Sequence, residues 1–190
     1  MECVILIVMI HVDALLVVDV QRGLVMGDHA VPESEAFLDR LATVLAAARG
    51  GGATLIHLQD RGDRMITHGT DGWRLALPAF NGEPVVEKPH DDGFDGTDLE
   101  QLLHDSGSHR ICIVGIQSEM CVAATARAAL ARGFTVVLPR DGHTTYDVPA
   151  DGSAPAVPAA LVSRVAEWSL GDQVIAPDRA SDVTFGPLEP

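Results

Sequence analysis

The order of apolar runs constrains this chain more than any other feature. Short continuous hydrophobic stretches at residues 14–18, 53–58, 84–87, 110–115 and 134–138 alternate with segments of helical spacing. A continuous apolar run of that length suits a strand buried on both faces. Between the runs, Phe37, Leu38, Leu41, Val44 and Leu45 follow a helical period until Gly50, Gly51 and Gly52 stop it. Further helices are expected over 97–107, over 121–132 with Gly133 at the C-terminal stop, and over 157–170. A sixth strand is expected at 172–176. This alternation predicts an α/β fold of three layers, with a central six-stranded parallel sheet between helices. A chain of 190 residues fits one domain, residues 1–190, with no internal repeat. Residues 60–83 and 141–156 carry no periodicity and read as long loops, which in compact domains are often functional. Ligands of such sheets bind at the carboxyl ends of strands, near the point where strand order reverses.

Charge narrows the partners. Asp and Glu number 27 against 13 Lys and Arg, a net of −14. Nucleic acid and anionic membrane surfaces are repelled by such a chain, whereas a cationic small molecule is attracted. Lys88 is the one lysine; every other basic residue is Arg. Either an Arg-rich composition left it by chance, or it marks a position that Arg cannot serve. Arg stays protonated, while a buried Lys can shift its pKa. Cys3, Cys112 and Cys121 form no disulfide framework and no zinc-ligand pattern, so a reducing, cytoplasmic setting is expected. The apolar run at 3–10 is too short to span a bilayer and, following Glu2, makes a poor signal peptide. Met9 is a second candidate start, with residues 1–8 (or the run to 10) as an extension.

Three ionisable side chains fall at equivalent places. Asp19 ends the first run, Lys88 ends the third, and Cys121 lies a few residues beyond the fourth, at the start of a helix. All three are expected at one edge of the sheet. A thiol is a poor nucleophile until it loses its proton, and a helix N-terminus and a nearby ammonium both favour the thiolate. A carboxylate can take that proton and hand it to a leaving amine. Backbone N–H groups in the turn before the helix could hold an oxyanion. The bland readings are a buried core cysteine and a capping aspartate. Cys112, amid apolar neighbours, takes the core reading, as does Cys3.

The segments Leu16-Val17-Val18-Asp19-Val20-Gln21, Glu87-Lys88-Pro89-His90-Asp91-Asp92-Gly93-Phe94-Asp95-Gly96-Thr97-Asp98-Leu99 and Val114-Gly115-Ile116-Gln117-Ser118-Glu119-Met120-Cys121-Val122 resemble the motifs of the isochorismatase-like cysteine hydrolases. That family includes nicotinamidases and N-carbamoylsarcosine amidohydrolase, and the resemblance covers about residues 14–176. It implies a triad of Asp19, Lys88 and Cys121 and a thioester acyl-enzyme on Cys121. It also implies a cis peptide at Ile116-Gln117, with the amides of Gln117 and Cys121 as oxyanion hole. A homo-oligomer is implied as well, in which apolar residues 3–10 could take part.

The sequence departs from the nicotinamidase pattern in one respect. Those enzymes carry a metal site built from an Asp-x-His pair and a later His. Here the stretch reads Gln59-Asp60-Arg61-Gly62-Asp63, and His68 lacks its partner. No metal and no cofactor are therefore expected. Asp60, Asp63 and His68 form either a solvated loop or substrate contacts. The loop His90-Asp91-Asp92, close after Lys88 and near the expected pocket, fits a cationic amide or lactam. Gln21, Trp73 and Phe80 are further candidate contacts. Nicotinamidase-type or isochorismatase-type hydrolysis, and a non-catalytic binding protein on the same fold, stay open as alternatives.

Overall fold

The computed structural model describes residues 9–62, 66–80 and 82–188. The expectations for residues 1–8, Cys3 and Asp63 lie outside that range. The chain begins with β1 (Ile10–Val12) and β2 (Ala14–Val18), followed by a short turn α1 (Arg22–Val25) and the long helix α2 (Ser34–Gly51). Then come β3 (Thr54–Asp60), β4 (Val85–Lys88), α3 (Leu99–Asp105) and β5 (Arg110–Ile116). A π-helical turn over Ser118–Val122 leads into α4 (Ala123–Ala131). The chain closes with β6 (Thr135–Val137), β7 (His143–Thr144), α5 (Ala159–Ser169), a 3₁₀ turn and β8 (Val183–Phe185).

Five strands run β4-β3-β2-β5-β6, and β7 joins beside β5 to make six, every pair parallel. Every residue of β2 is buried, as its unbroken apolar run requires. Alternate residues serve two cores. Leu15 and Val17 pack with Phe37, Leu41 and Leu45 of α2, while Leu16 and Val18 pack with Leu99 of α3 and Ala126 of α4. Those are the three expected layers. Asp13 ties β5 to β2 at one end, its carboxylate accepting the N–H groups of His109 (2.9 Å) and Arg110 (3.0 Å). From β2 the chain builds outward to β3 and β4, then returns to place β5 on β2's other side. The strand order thus reverses between β2 and β5, where a ligand cleft is expected.

Three expectations are corrected. Residues 172–176 form no strand. Ile175 makes a single bridge to Val137, with Gly171 in a left-handed turn before it and Pro177, which has no N–H, after it. The sixth strand is instead β7, two residues long, inside the expected loop 141–156. The helix expected from Cys121 starts at Ala123, because Met120 (φ −106°, ψ −105°) departs from helical geometry just before the cysteine. A parallel ribbon of β1 with β8 joins the two ends of the described chain, which the sequence pattern did not suggest. Among the described residues, no helix is long and apolar enough to cross a membrane.

Candidate active site

The ends of β2, β3 and β4 bring Asp19, Asp60 and Lys88 to one edge of the sheet. Asp19 follows Val18 in a left-handed conformation (φ 50°), a region that Asp tolerates better than most residues. Its N–H donates to the Leu58 carbonyl (3.0 Å) and its carbonyl accepts from Gln21 N–H (2.8 Å), which fixes the turn. Lys88 pairs in register with Asp60, and its side chain is fully buried. Its Nζ lies 2.8 Å from Asp19 Oδ2, 3.2 Å from Cys121 Sγ, 3.2 Å from the His90 carbonyl and 3.7 Å from Asp60 Oδ2.

Cys121 comes from the other side of the switch point. Val18 and Gly115 are partners in the β2–β5 register. A Cβ on Gly115 (φ 134°) would meet the Val18 carbonyl oxygen at 2.1 Å, so only glycine lets the strands approach there. The next peptide, Ile116-Gln117, is cis. The Gln117 carbonyl then accepts the N–H groups of Met120 (3.2 Å) and Val122 (3.1 Å), closing the turn that carries Cys121. The thiol, 8% exposed, opens onto a cleft of about 420 Å³ lined by Asp19, Asp60, Asp91, Ile116, Gln117 and Cys121. Leu24, Ile66, Pro89, His90 and Met120 complete the wall.

Burial is the largest influence on each ionisable group here. It pushes the Asp19 carboxyl up to about 6, although the Lys88 ammonium pulls the other way. For Lys88, burial alone would lower the pKa, but the facing Asp19 carboxylate and Cys121 sulfur outweigh it and the ammonium is held. Burial and the Asp19 charge push the Cys121 thiol up, against the pull of Lys88. These pulls favour an ammonium on Lys88 and a protonated thiol on Cys121. Asp19 Oδ1 is buried and without a hydrogen-bond partner.

Several expected contacts lie elsewhere. Gln21 is fully buried and donates to the carbonyls of Asp60 (3.2 Å) and Trp73 (2.8 Å). Trp73 donates its indole N–H to the Asp60 carbonyl (2.9 Å). Both brace the loop that bears Asp60 and neither lines the cleft. Phe80 is 58% exposed and lies under the Arg49 guanidinium, 3.6 Å away, with Arg49 itself locked to Glu83 (2.7 and 2.9 Å). Asp92 caps its own loop through Phe94 N–H (2.8 Å). Asp91 does reach the cleft, its Oδ1 3.6 Å from Cys121 Sγ. Cys112 is fully buried in the core, and burial pushes its pKa up. His90 and Asp91 of the expected loop do line the cleft, and Pro89, which the sequence reading missed, was legible from its adjacency to Lys88. Leu24 and Ile66 sit in aperiodic segments that gave no signal.

The residues present do not fit a nicotinamidase-type metal. Asp60 is present but Gly62 stands where the histidine of the pair would be, Asp60 accepts Gly62 N–H (2.6 Å) and faces Lys88, and His68 stacks on Trp73 with centroids 4.3 Å apart. Among the described residues, no group of three or more His, Cys, Asp or Glu could hold a metal ion.

Comparison with known proteins agrees with this geometry. A family profile described as "Isochorismatase domain" matches residues 13–157. Two proteins of Streptomyces noursei, each named streptothricin hydrolase, are similar: one is 49% identical over 179 residues (92% of this chain, 71% of the relative), the other 50% over 186 residues (94% and 67%). An isochorismatase structure from Pseudomonas putida KT2440 superposes with a TM-score of 0.81 at 22% identity, covering 90% of each chain. A hydrolase structure of the isochorismatase family from Chromobacterium violaceum gives 0.79 at 27% identity, covering 89% of this chain and 90% of that one. With a profile match over most of its length and relatives at about half identity, this protein belongs to the isochorismatase family of hydrolases.

Proposed function

We propose that this protein is a cysteine-dependent amidohydrolase that opens a C–N amide or lactam bond of a small cationic molecule, with the lactam of streptothricin as the first candidate. The observation that carries the reading is the buried contact of Lys88 Nζ with both Asp19 (2.8 Å) and Cys121 (3.2 Å) at the floor of a cleft. Cys121 Sγ attacks the carbonyl carbon while Asp19 takes the thiol proton. The carbonyl oxygen becomes an oxyanion, held by the amides of Gln117 and Cys121. Collapse breaks the C–N bond, and Asp19 gives its proton to the departing amine. Water then attacks the thioester, with Asp19 taking a proton that finally returns to sulfur. Lys88 stabilises the anionic forms throughout. No step needs a metal or cofactor.

The streptothricin hydrolases at about 50% identity support the substrate, and Asp60 and Asp91 in the cleft wall support a cationic one. Opening that lactam gives the enzyme a role in antibiotic resistance. Incubation of the purified protein with streptothricin is expected to yield a product heavier by one water, with a new carboxylate. Nicotinamide and neutral amides are expected to react far more slowly. Hydrolysis of nicotinamide alone would reassign the substrate, and inertness toward a broad amide panel would favour a binding protein. We also propose a cytoplasmic homo-oligomer, supported by exposed Leu161, Val165 and Trp168 along α5 and measurable by sedimentation.

Two outcomes follow from the same site. Asp19 must be ionised to take the thiol proton, so kcat/KM is expected to fall as pH drops through about 6 and to level off above it. An acid limb at an ordinary carboxylate pKa would mean that the Lys88 ammonium offsets burial at Asp19, and no acid limb at all would remove Asp19 as the base. Chelators are expected to leave turnover unchanged. Stoichiometric metal, with activity lost on chelation and regained on metal addition, would reverse that reading.

A further inference from the structure

A second buried polar chain lies behind the turn that carries Cys121, and the chemistry described above does not use it. Ser118 opens that turn. Its Oγ lies 2.8 Å from His143 Nδ1 and 2.9 Å from Ser163 Oγ on α5. His143 belongs to β7, whose two residues pair with Gly115 and Ile116, the last residues before the cis peptide. Two residues on, Thr145 donates its hydroxyl to Glu119 Oε1 (2.9 Å). One short segment therefore grips the end of β5 and the first two residues of the turn.

The hydrogen-bond direction can be argued. Burial pushes the His143 pKa down to about 4, so the ring is neutral near pH 7 and carries one N–H. Its Nε2 is buried without a hydrogen-bond partner and lies 3.6 Å from Glu167 Oε1. The other Glu167 oxygen faces Arg140 (3.2 Å) and Arg164 (3.5 Å), which pull the carboxyl toward the anion against the upward push of burial. A bare Nε2 lone pair facing a carboxylate would be repelled, so Nε2 carries the hydrogen. Nδ1 then accepts the Ser118 hydroxyl, and Ser118 Oγ accepts from Ser163. Each group in the row has one compatible role, a condition under which a buried network specifies one arrangement.

We propose that Ser163, Ser118, His143 and Glu167 form a positioning relay that holds the Cys121 turn in register with Lys88 and Asp19. The relay touches no reacting atom. It rests on the reading of Cys121 as nucleophile. Its effect belongs in kcat, because a nucleophile displaced by even about 1 Å loses on the order of 100-fold in rate.

The test compares His143→Leu, which removes the acceptor for Ser118, with His143→Asn, whose side-chain oxygen can stand where Nδ1 stood. With streptothricin, His143→Leu is expected to lower kcat by about 10–100-fold with KM little changed, and His143→Asn to recover most of it. Turnover is counted per alkylatable Cys121, so that lost folded protein does not register as lost rate. Iodoacetamide alkylation of Cys121 at fixed pH needs no substrate, and its rate is expected to shift several-fold in His143→Leu and return in His143→Asn. If His143→Leu does not fold, Ser163→Ala on the half-buried side of α5 is read by the same two measurements. Wild-type kcat and alkylation rate in His143→Leu, or no recovery in His143→Asn, overturn the relay. Cys121→Ala, run in parallel, separates the failures: if it keeps turnover, the nucleophile is wrong, whereas if it is dead beside a fully active His143→Leu, only the relay is wrong.

Discussion

Replacing Cys121 with alanine is expected to abolish hydrolysis, a loss of at least about 10⁴-fold, because no other group in the cleft can form the acyl intermediate. Cys112, the other described cysteine, is fully enclosed in the core on the opposite face of the sheet. The fold should survive the change. Cys121 lies in the wall of an apolar cluster with Val122 and Ala126, and the substitution removes one sulfur while leaving the Asp19–Lys88 pair at 2.8 Å. A cavity of that size costs about 1 kcal/mol, a fall in Tm of roughly 2–4 °C for a chain of this length. Turnover measured beside a thermal melt separates chemistry from stability. Wild-type turnover in the alanine variant would exclude covalent catalysis at this position. Cys121→Ser makes a sharper control, since a carboxylate with a pKa of about 6 is a weak base for an alcohol, and little activity should return.

The three groups at this site were legible because Asp19 and Lys88 end apolar runs and Cys121 follows a third by a few residues. Such runs announce both a buried strand and its carboxyl end, so Asp19, Lys88 and Cys121 could be set side by side from sequence alone. The rest depended on contacts that no local pattern encodes. Phe80 reads as a pocket wall until Arg49, 31 residues earlier, takes its ring face. Gln21 and Trp73 read as substrate contacts until both turn out to brace the backbone of Asp60. β7 is only two residues long, too short for any alternation to show, yet it carries His143 to Ser118. The opposing pulls on the thiol were also hidden. A helix start and an ammonium suggest a thiolate, but burial and the Asp19 carboxylate act against it, and burial is a property of the packed fold.

Lys88 ties composition to mechanism, and its substitution is expected to have the second-largest effect. In Lys88→Met the side chain keeps nearly its volume while Asp19 loses its close cation. Turnover should fall by about 10³-fold or more, since both the Asp19 carboxylate and the developing thiolate lose their stabilising charge. Breaking a buried pair from one side is also destabilising, on the order of 3–5 kcal/mol. The pH dependence of that loss has a definite sign. Without Lys88 the Asp19 pKa rises above about 6, so at mildly acid pH the variant's carboxyl is neutral and no lone buried charge remains. In the wild type Asp19 takes up its proton only as pH falls through about 6, beside an ammonium that stays charged. The stability gap between wild type and Lys88→Met is therefore widest at alkaline pH, narrows as pH falls toward about 6 and stays constant below it, as urea melts at several pH values would show. Lys88→Arg keeps the charge but must fit a planar fork where Nζ now meets Asp19, Cys121 and the His90 carbonyl within 3.2 Å. It should overpack the site and lose about 100-fold or more in kcat. Full activity in Lys88→Arg would mean that the only lysine in this Arg-rich chain is an accident of composition. A loss nearly as deep as that of Lys88→Met would mean that the position requires a compact ammonium.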